Sequence, residues 1–120
     1  MKIYVDTNVF MDFIIDRKES LVFEKSLQCL HTIVISDLVI KELEFNSVDA
    51  SSLIAWLQFA EKLVLVDITD TEIQLARNIN THWNDALHIA AAKTANADLI
   101  VTNNLKDFLG LYKTTSHDDI

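Results

Sequence analysis

Four groups of oxygen-bearing side chains in this sequence each lie close behind an apolar run. Asp6-Thr7-Asn8 comes directly after Val5, and Glu42 comes six residues after Ser36 in Ser36-Asp37-Leu38-Val39-Ile40-Lys41-Glu42-Leu43. Asp85 heads the small-residue run Asp85-Ala86-Leu87-His88-Ile89-Ala90-Ala91-Ala92, and Thr102-Asn103-Asn104-Leu105-Lys106-Asp107 follows Val101. Each has an ordinary explanation on its own. Asp6 or Asn8 suits a helix cap, a helical Glu is usually solvated, and an Asp in a first helical turn is favoured by the helix dipole. As a group, Asp6, Glu42, Asp85, Thr102, Asn104 and Asp107 form the oxygen-only donor set that a hard divalent cation requires. Zinc is disfavoured, because Cys29 is the single cysteine and no His-x-x-x-His spacing occurs. His82 and His88 are six apart and do not share a helical face, so each reads as a surface or interface histidine.

Such groups act together only if the chain brings them to one edge. Short β-branched runs at 2–5, 32–36, 63–66 and 99–102 are apolar on both faces, which suits parallel strands covered on both sides. Between them, helical spacing runs over 20–30, 38–45, 51–60, 71–79 and 85–94, with Asp37, Ser51 and Thr71 near helix starts. Leu38, Val39 and Leu43 mark the inward side of the second of these helices; Glu42 lies beside that stripe and is chosen over Glu44, which cannot share its face. A weak strand at 111–113 closes the sheet, and 116–120 reads as a solvated tail. The alternation of strand and helix predicts an α/β domain with a parallel sheet, one unit over 1–115 without a linker or repeat. In open sheets of this kind ligands bind beyond the carboxyl ends of the strands, where Asp6 and Thr102 fall.

The whole chain is 120 residues, half of them hydrophobic, with one Gly and no Pro. A chain of this length buries roughly two-thirds of its unfolded surface and needs no disulfide staple. A lone cysteine fits a reducing compartment, and neither a membrane span nor a signal peptide is visible, so a cytoplasmic location is expected. The formal charge of −8, from 18 acids against 10 bases, weighs against a polyanionic partner.

Asp6-Thr7-Asn8, Ser36 through Glu42, Asp85 through Ala92, and Leu99-Ile100-Val101-Thr102-Asn103-Asn104-Leu105-Lys106-Asp107-Phe108, in that order, resemble the PIN-domain family, including VapC-type toxins. The resemblance implies a three-layer α/β/α fold with a central, mainly parallel sheet of four to five strands. It also implies a magnesium- or manganese-dependent endoribonuclease of a toxin-antitoxin pair, with RNA as substrate, an antitoxin protein as partner, and a homodimer. On the same ground Asp6, Glu42 and Asp85 are the acidic metal-site and catalytic residues, supported by Thr7, Asn8, Thr102, Asn104 and Asp107. One departure is visible: Asn104 stands where many members carry an acid, so this position offers a carbonyl but no charge. The assigned acids, four of the 18 when Asp107 is included, turn part of the net charge into one concentrated site.

Two other readings compete. Asp67 at the end of 63–66, with Asp6, Thr102 and Lys113, resembles a phospho-accepting receiver domain, although the first strand lacks an adjacent acidic pair and Glu42 and Asp85 would have no role. A PIN-like domain that binds RNA or protein without cutting is the second, motivated by Asn104 and by a sparse basic complement with only Arg17 and Arg77 among the arginines. Trp56, Leu57, Phe59, Phe10, Phe13 and Phe23 fall at spacings that place them by default in the core.

Overall fold

The computed structural model describes residues 1–16, 31–103, 105–108 and 110–115; for Asp12, Phe13, Ile15, Asp16, Asp107 and Thr115 it describes the backbone alone. The helix expected over 20–30, the tail 116–120 and Asn104 lie outside the described residues. Five strands, β1 (Lys2–Val5), β2 (Thr32–Ser36), β3 (Leu63–Val66), β4 (Leu99–Val101) and β5 (Thr114–Thr115), form one sheet in the order β3-β2-β1-β4-β5. Every pairing is parallel, and the layers are those of a three-layer α/β/α fold. Ile3, Tyr4, Val5, Ile33, Val34, Ile35, Ile100 and Val101 are fully buried, which is why these runs lack the alternation of a half-exposed strand.

Among the described residues six helices cover the sheet: α1 (Thr7–Asp16), α2 (Asp37–Phe45), α3 (Ser51–Phe59), α4 (Asp70–Arg77), α5 (Trp83–Thr94) and the short α6 (Leu105–Phe108). The three long strands 2–5, 32–36 and 63–66 have the expected bounds, and four helices begin or end within two residues of theirs. Three features differ. A helix leaves β1 directly at Thr7, because Val9 and Phe10 turn inward to full burial although the local composition, Val, Phe and Ile, is that of a strand. The stretch after Thr102 contains a helical turn, with Phe108 buried, where the sequence pattern assigned no element. The last strand pairs at Thr114–Thr115 and not at 111–113: Leu111 donates its N–H to the Phe108 carbonyl in a turn, and the ladder begins only after it, at Ile100 and Thr114.

A chain with one glycine has few residues that leave a helix cheaply, and three helices here stop on others. Ser47 (φ 57°), Glu61 (φ 57°) and Asn96 (φ 54°) take the left-handed conformation after α2, α3 and α5. In each, the next N–H bonds back to the last turn: Val48 to the Leu43 carbonyl (2.9 Å), Lys62 to Leu57 (2.8 Å) and Ala97 to Ala92 (2.9 Å). These satisfy carbonyls that would otherwise be orphaned at the helix ends. The α4 start is closed by a capping box in which Glu72 Oε1 accepts from the Thr69 N–H at 2.8 Å and from its hydroxyl at 2.6 Å.

The sheet order sets the position of a site. From β1 the chain runs outward through β2 to β3, then crosses back to place β4 on the other side of β1. The strand order therefore reverses beside β1, and the crevice between the carboxyl ends of β1 and β4 is the place where open α/β sheets hold ligands. Helix α5 packs over this centre: Ala86, Leu87, His88, Ile89, Ala90, Ala91 and Ala92 are all buried, and the small side chains let its backbone approach the strands closely.

Candidate active site at the strand ends

Asp6 is the first residue beyond β1, and its N–H continues the β1–β4 ladder by bonding the Val101 carbonyl at 3.0 Å. The backbone is thus fixed before the side chain begins. The carboxylate is 6% exposed. Oδ1 accepts the Thr7 N–H at 2.8 Å, and Oδ2 accepts the Thr102 hydroxyl at 2.8 Å across the strand-order reversal. Hydrogen bonds to a charged acceptor contribute about 1.5–3 kcal/mol each. Two of them are comparable with the several kcal/mol that an ion costs on leaving water. The Asp6 carboxylate is therefore fixed at the sheet edge by neutral hydrogen-bond donors.

Glu42 reaches the same place from the middle of α2. Its Oε1 accepts the Thr7 hydroxyl at 2.8 Å and bonds His88 Nε2 at 2.7 Å, and the Asn84 side chain makes a further hydrogen bond to it. Partial burial pushes the Glu42 carboxyl upward, but the bonds from His88, Thr7 and Asn84 outweigh it and hold the group below the ordinary Glu range. His88 Nε2 also lies 3.8 Å from Asp6 Oδ1, so one imidazole faces both carboxylates. On its other side His88 Nδ1 bonds the Tyr4 hydroxyl at 2.6 Å, and that hydroxyl meets Ser36 Oγ at 2.8 Å. Tyr4 and Ser36 are wholly buried, and burial raises the Tyr4 phenol far above its usual range. A continuous polar chain therefore runs Ser36–Tyr4–His88–Glu42–Thr7, beginning inside the protein and ending at its edge.

Among the expected residues, Asp6, Thr7, Glu42 and Thr102 converge. Asp85 is half-buried at the third position of α5, between Asn84, which bonds Glu42, and the turn that carries His88. Asn8 is exposed on α1, the backbone of Asp107 lies in α6, and Asn104 lies outside the described residues. Among the described residues, no three His, Cys, Asp or Glu side chains are already gathered as a metal cage. The donor chemistry nevertheless fits a hard cation. It combines the buried Asp6 carboxylate with that of Glu42 and with hydroxyl and carboxamide oxygens, and no thiolate. A polar cleft of about 480 Å³ lined by Lys41, Glu42, Phe45, Asn46 and Asn84 opens beside it.

His82 is exposed at the start of α5, as expected, but His88 is not a surface or interface histidine. It is 2% exposed and bonded to groups 46 and 84 residues away in sequence, Glu42 and Tyr4, which local spacing does not reveal. The signal in the sequence was its setting: a polar ring inside a run of small apolar residues, every one of them facing inward. Tyr4, Ser36 and Asn84 were missed for the same reason. Phe10 and Leu57 are core residues, whereas Trp56 (44% exposed) and Phe59 (90%) face outward, against the expectation of core packing.

Fold and geometry together define an α/β domain with two carboxylates, Asp6 and Glu42, brought together at its topological switch point. The PIN-domain family model matches residues 3–112, and the chain belongs to that family. No curated protein matches it by sequence. Among solved structures it is similar to a chain of VapBC2 from Rickettsia felis bound to a promoter DNA fragment, with 22% identity, a TM-score of 0.70, and coverage of 97% of this chain and 98% of that one. It is similar to a chain of DNA-bound VapBC from Salmonella typhimurium, with 17% identity, a TM-score of 0.69 and 98% of both chains covered. A chain of a toxin-antitoxin complex from Klebsiella pneumoniae matches with 18% identity, a TM-score of 0.68, and coverage of 95% and 96%. At these identities the likeness establishes the fold. That fold also removes the receiver reading: receiver-like sheets run 2-1-3-4-5, with the third strand beside the first, whereas β3, which leads to Asp67, is here at the edge.

Proposed function

We propose that this chain is a divalent-metal-dependent endoribonuclease, the toxin of a toxin-antitoxin pair, acting in the cytoplasm. The observation that carries the reading is the meeting of the Asp6 and Glu42 carboxylates beyond β1, each fixed by neutral or imidazole donors at a switch point of a PIN-family sheet. Asp6 and Glu42, with Asp85 at the head of α5, are the residues that would hold magnesium or manganese. When bound, such an ion supplies a more acidic water and charge neutralisation at a phosphodiester. The side chains do the positioning. Thr102 and the Thr7 N–H fix the Asp6 carboxylate plane, the Thr7 hydroxyl bonds Glu42, and Asn84 ties the first turn of α5 to Glu42. Glu42 has the further option of receiving a proton through water, since its lowered pKa keeps it a base at neutral pH. Thr102, Asn104 and Asp107 are proposed to support the loop that faces a phosphate.

The structural neighbours that are complexes of toxin and antitoxin support an antitoxin partner for this chain, and exposed Trp56 and Phe59 on α3 are the apolar surface available to it or to a second copy. Asp6→Asn and Asp85→Asn are each expected to lower manganese-dependent RNA cleavage by roughly 100-fold or more, with far-UV circular dichroism unchanged. Cleavage that survives both substitutions and excess chelator would remove the assignment. Tight RNA binding with no product after long incubation in manganese would favour the non-cutting reading. Mass by light scattering on the wild type and Trp56→Ala reads the dimer in the same preparations.

A further inference from the structure

The function proposed above gives His88 no chemical step, yet no side chain of the site is more tightly constrained. It sits in α5 with buried residues on both sides, where leucine would pack without needing a partner. Both its ring nitrogens are engaged, Nδ1 by Tyr4 at 2.6 Å and Nε2 by Glu42 at 2.7 Å. The Tyr4 ring meets the imidazole edge-on, with centroids 5.7 Å apart at 62°. Ser36 holds the Tyr4 hydroxyl in turn. Glu42 Oε1 already accepts the Thr7 hydroxyl, so toward this oxygen Nε2 is the donor. This orientation is set from the sheet interior, by groups that no ligand touches.

We propose that His88 is the positioning residue of the metal site: its Nε2–H, aimed by Tyr4, fixes the Glu42 carboxylate relative to Asp6 before any cation arrives. With Oε1 taken by both Thr7 and His88, the carboxylate plane cannot turn, and Glu42 offers its charge in one direction. The 3.8 Å approach to Asp6 Oδ1 lets the same donor face the second carboxylate and lowers the repulsion between the two. Groups that orient metal-binding side chains in this way are worth roughly 10- to 100-fold in metal affinity or activity.

The inference rests on the metal-dependent reading, and the test separates the two. Manganese affinity is measured by the electron paramagnetic resonance of free Mn²⁺, and RNA cleavage is followed across manganese concentrations, for the wild type, His88→Leu, His88→Gln and Tyr4→Phe. His88→Leu is expected to bind manganese about tenfold or more weakly and to recover much of its cleavage at high manganese. His88→Gln retains an N–H at similar reach and is expected to restore affinity to within about threefold of wild type. Wild-type affinity in His88→Leu overturns the inference and leaves the function standing. Affinity in His88→Gln as poor as in His88→Leu also overturns it, since the donor would then be irrelevant. If His88→Leu does not fold, Tyr4→Phe decides: weaker manganese binding supports the role, and unchanged binding overturns it. A wild-type protein that takes up no manganese overturns both readings.

Discussion

Asp6 shows what a single position at a strand end can do. Its main chain belongs to a sheet ladder while its side chain belongs to the site, so the geometry of the carboxylate is inherited from the strands. Thr102 completes that arrangement from β4. Thr102→Val keeps the shape and removes the hydroxyl, leaving Asp6 Oδ2 without its donor inside a fully buried pocket. The expected loss is about 1.5–3 kcal/mol of unfolding free energy at neutral pH, read from urea denaturation. A loss below about 0.5 kcal/mol would assign Thr102 to packing alone. This residue was legible in the sequence, since an apolar run followed at once by Thr or Asp identifies its own position on the sheet. His88 was not, because its partners are set by folding and not by spacing.

At the level of elements, β1, β2 and β4 were readable because burial on both faces favours apolar residues throughout, and β3 carries the same Leu-Val composition although it is an edge strand with Leu65 exposed. Helix α1 was hidden by the same chemistry. Phe10 and Val9 satisfy the helical stripe with residues that prefer strands, and tertiary burial overrides the propensity. The helix ends were equally hidden, since Ser47, Glu61 and Asn96 do not announce a left-handed turn as glycine would. Glu61 has the least excuse for that conformation, having a long side chain and φ of 57°. Replacing it, as Glu61→Gly, is expected to raise stability by about 1 kcal/mol, because relief of the left-handed strain exceeds the added freedom of the unfolded chain. Thermal unfolding measures this; a drop in the midpoint would mean that the α3 to β3 connection is not strained at Glu61.

Across the whole molecule, charge and apolar surface divide the work between substrate and partner. A formal charge of −8 gives the protein little general attraction for RNA, so the proposed substrate would have to be held locally, around the site and the Lys41 cleft. Among the described residues no helix is long and apolar enough to cross a membrane. Phe59 at 90% and Phe45 at 89% exposure are outward aromatics that the proposed antitoxin or a second copy would cover.

The phenol buried beneath the imidazole has an optical consequence. The chain has two tyrosines, and both resist ionisation in the folded state: Tyr4 through burial, and Tyr112 through partial burial and the nearby Asp98 carboxylate. An acid whose folded pKa is raised stabilises the fold only while the unfolded phenol would stay protonated, so this stability is lost as pH rises past about 10. Alkaline unfolding should therefore be cooperative and should report on itself. Tyrosinate absorbance near 295 nm is expected to appear together with the loss of circular dichroism, and not before it. A gradual rise in that absorbance while the fold persists would mean that both phenols reach solvent in the native protein. The two tyrosines thus make an intrinsic, label-free alarm for the integrity of the site.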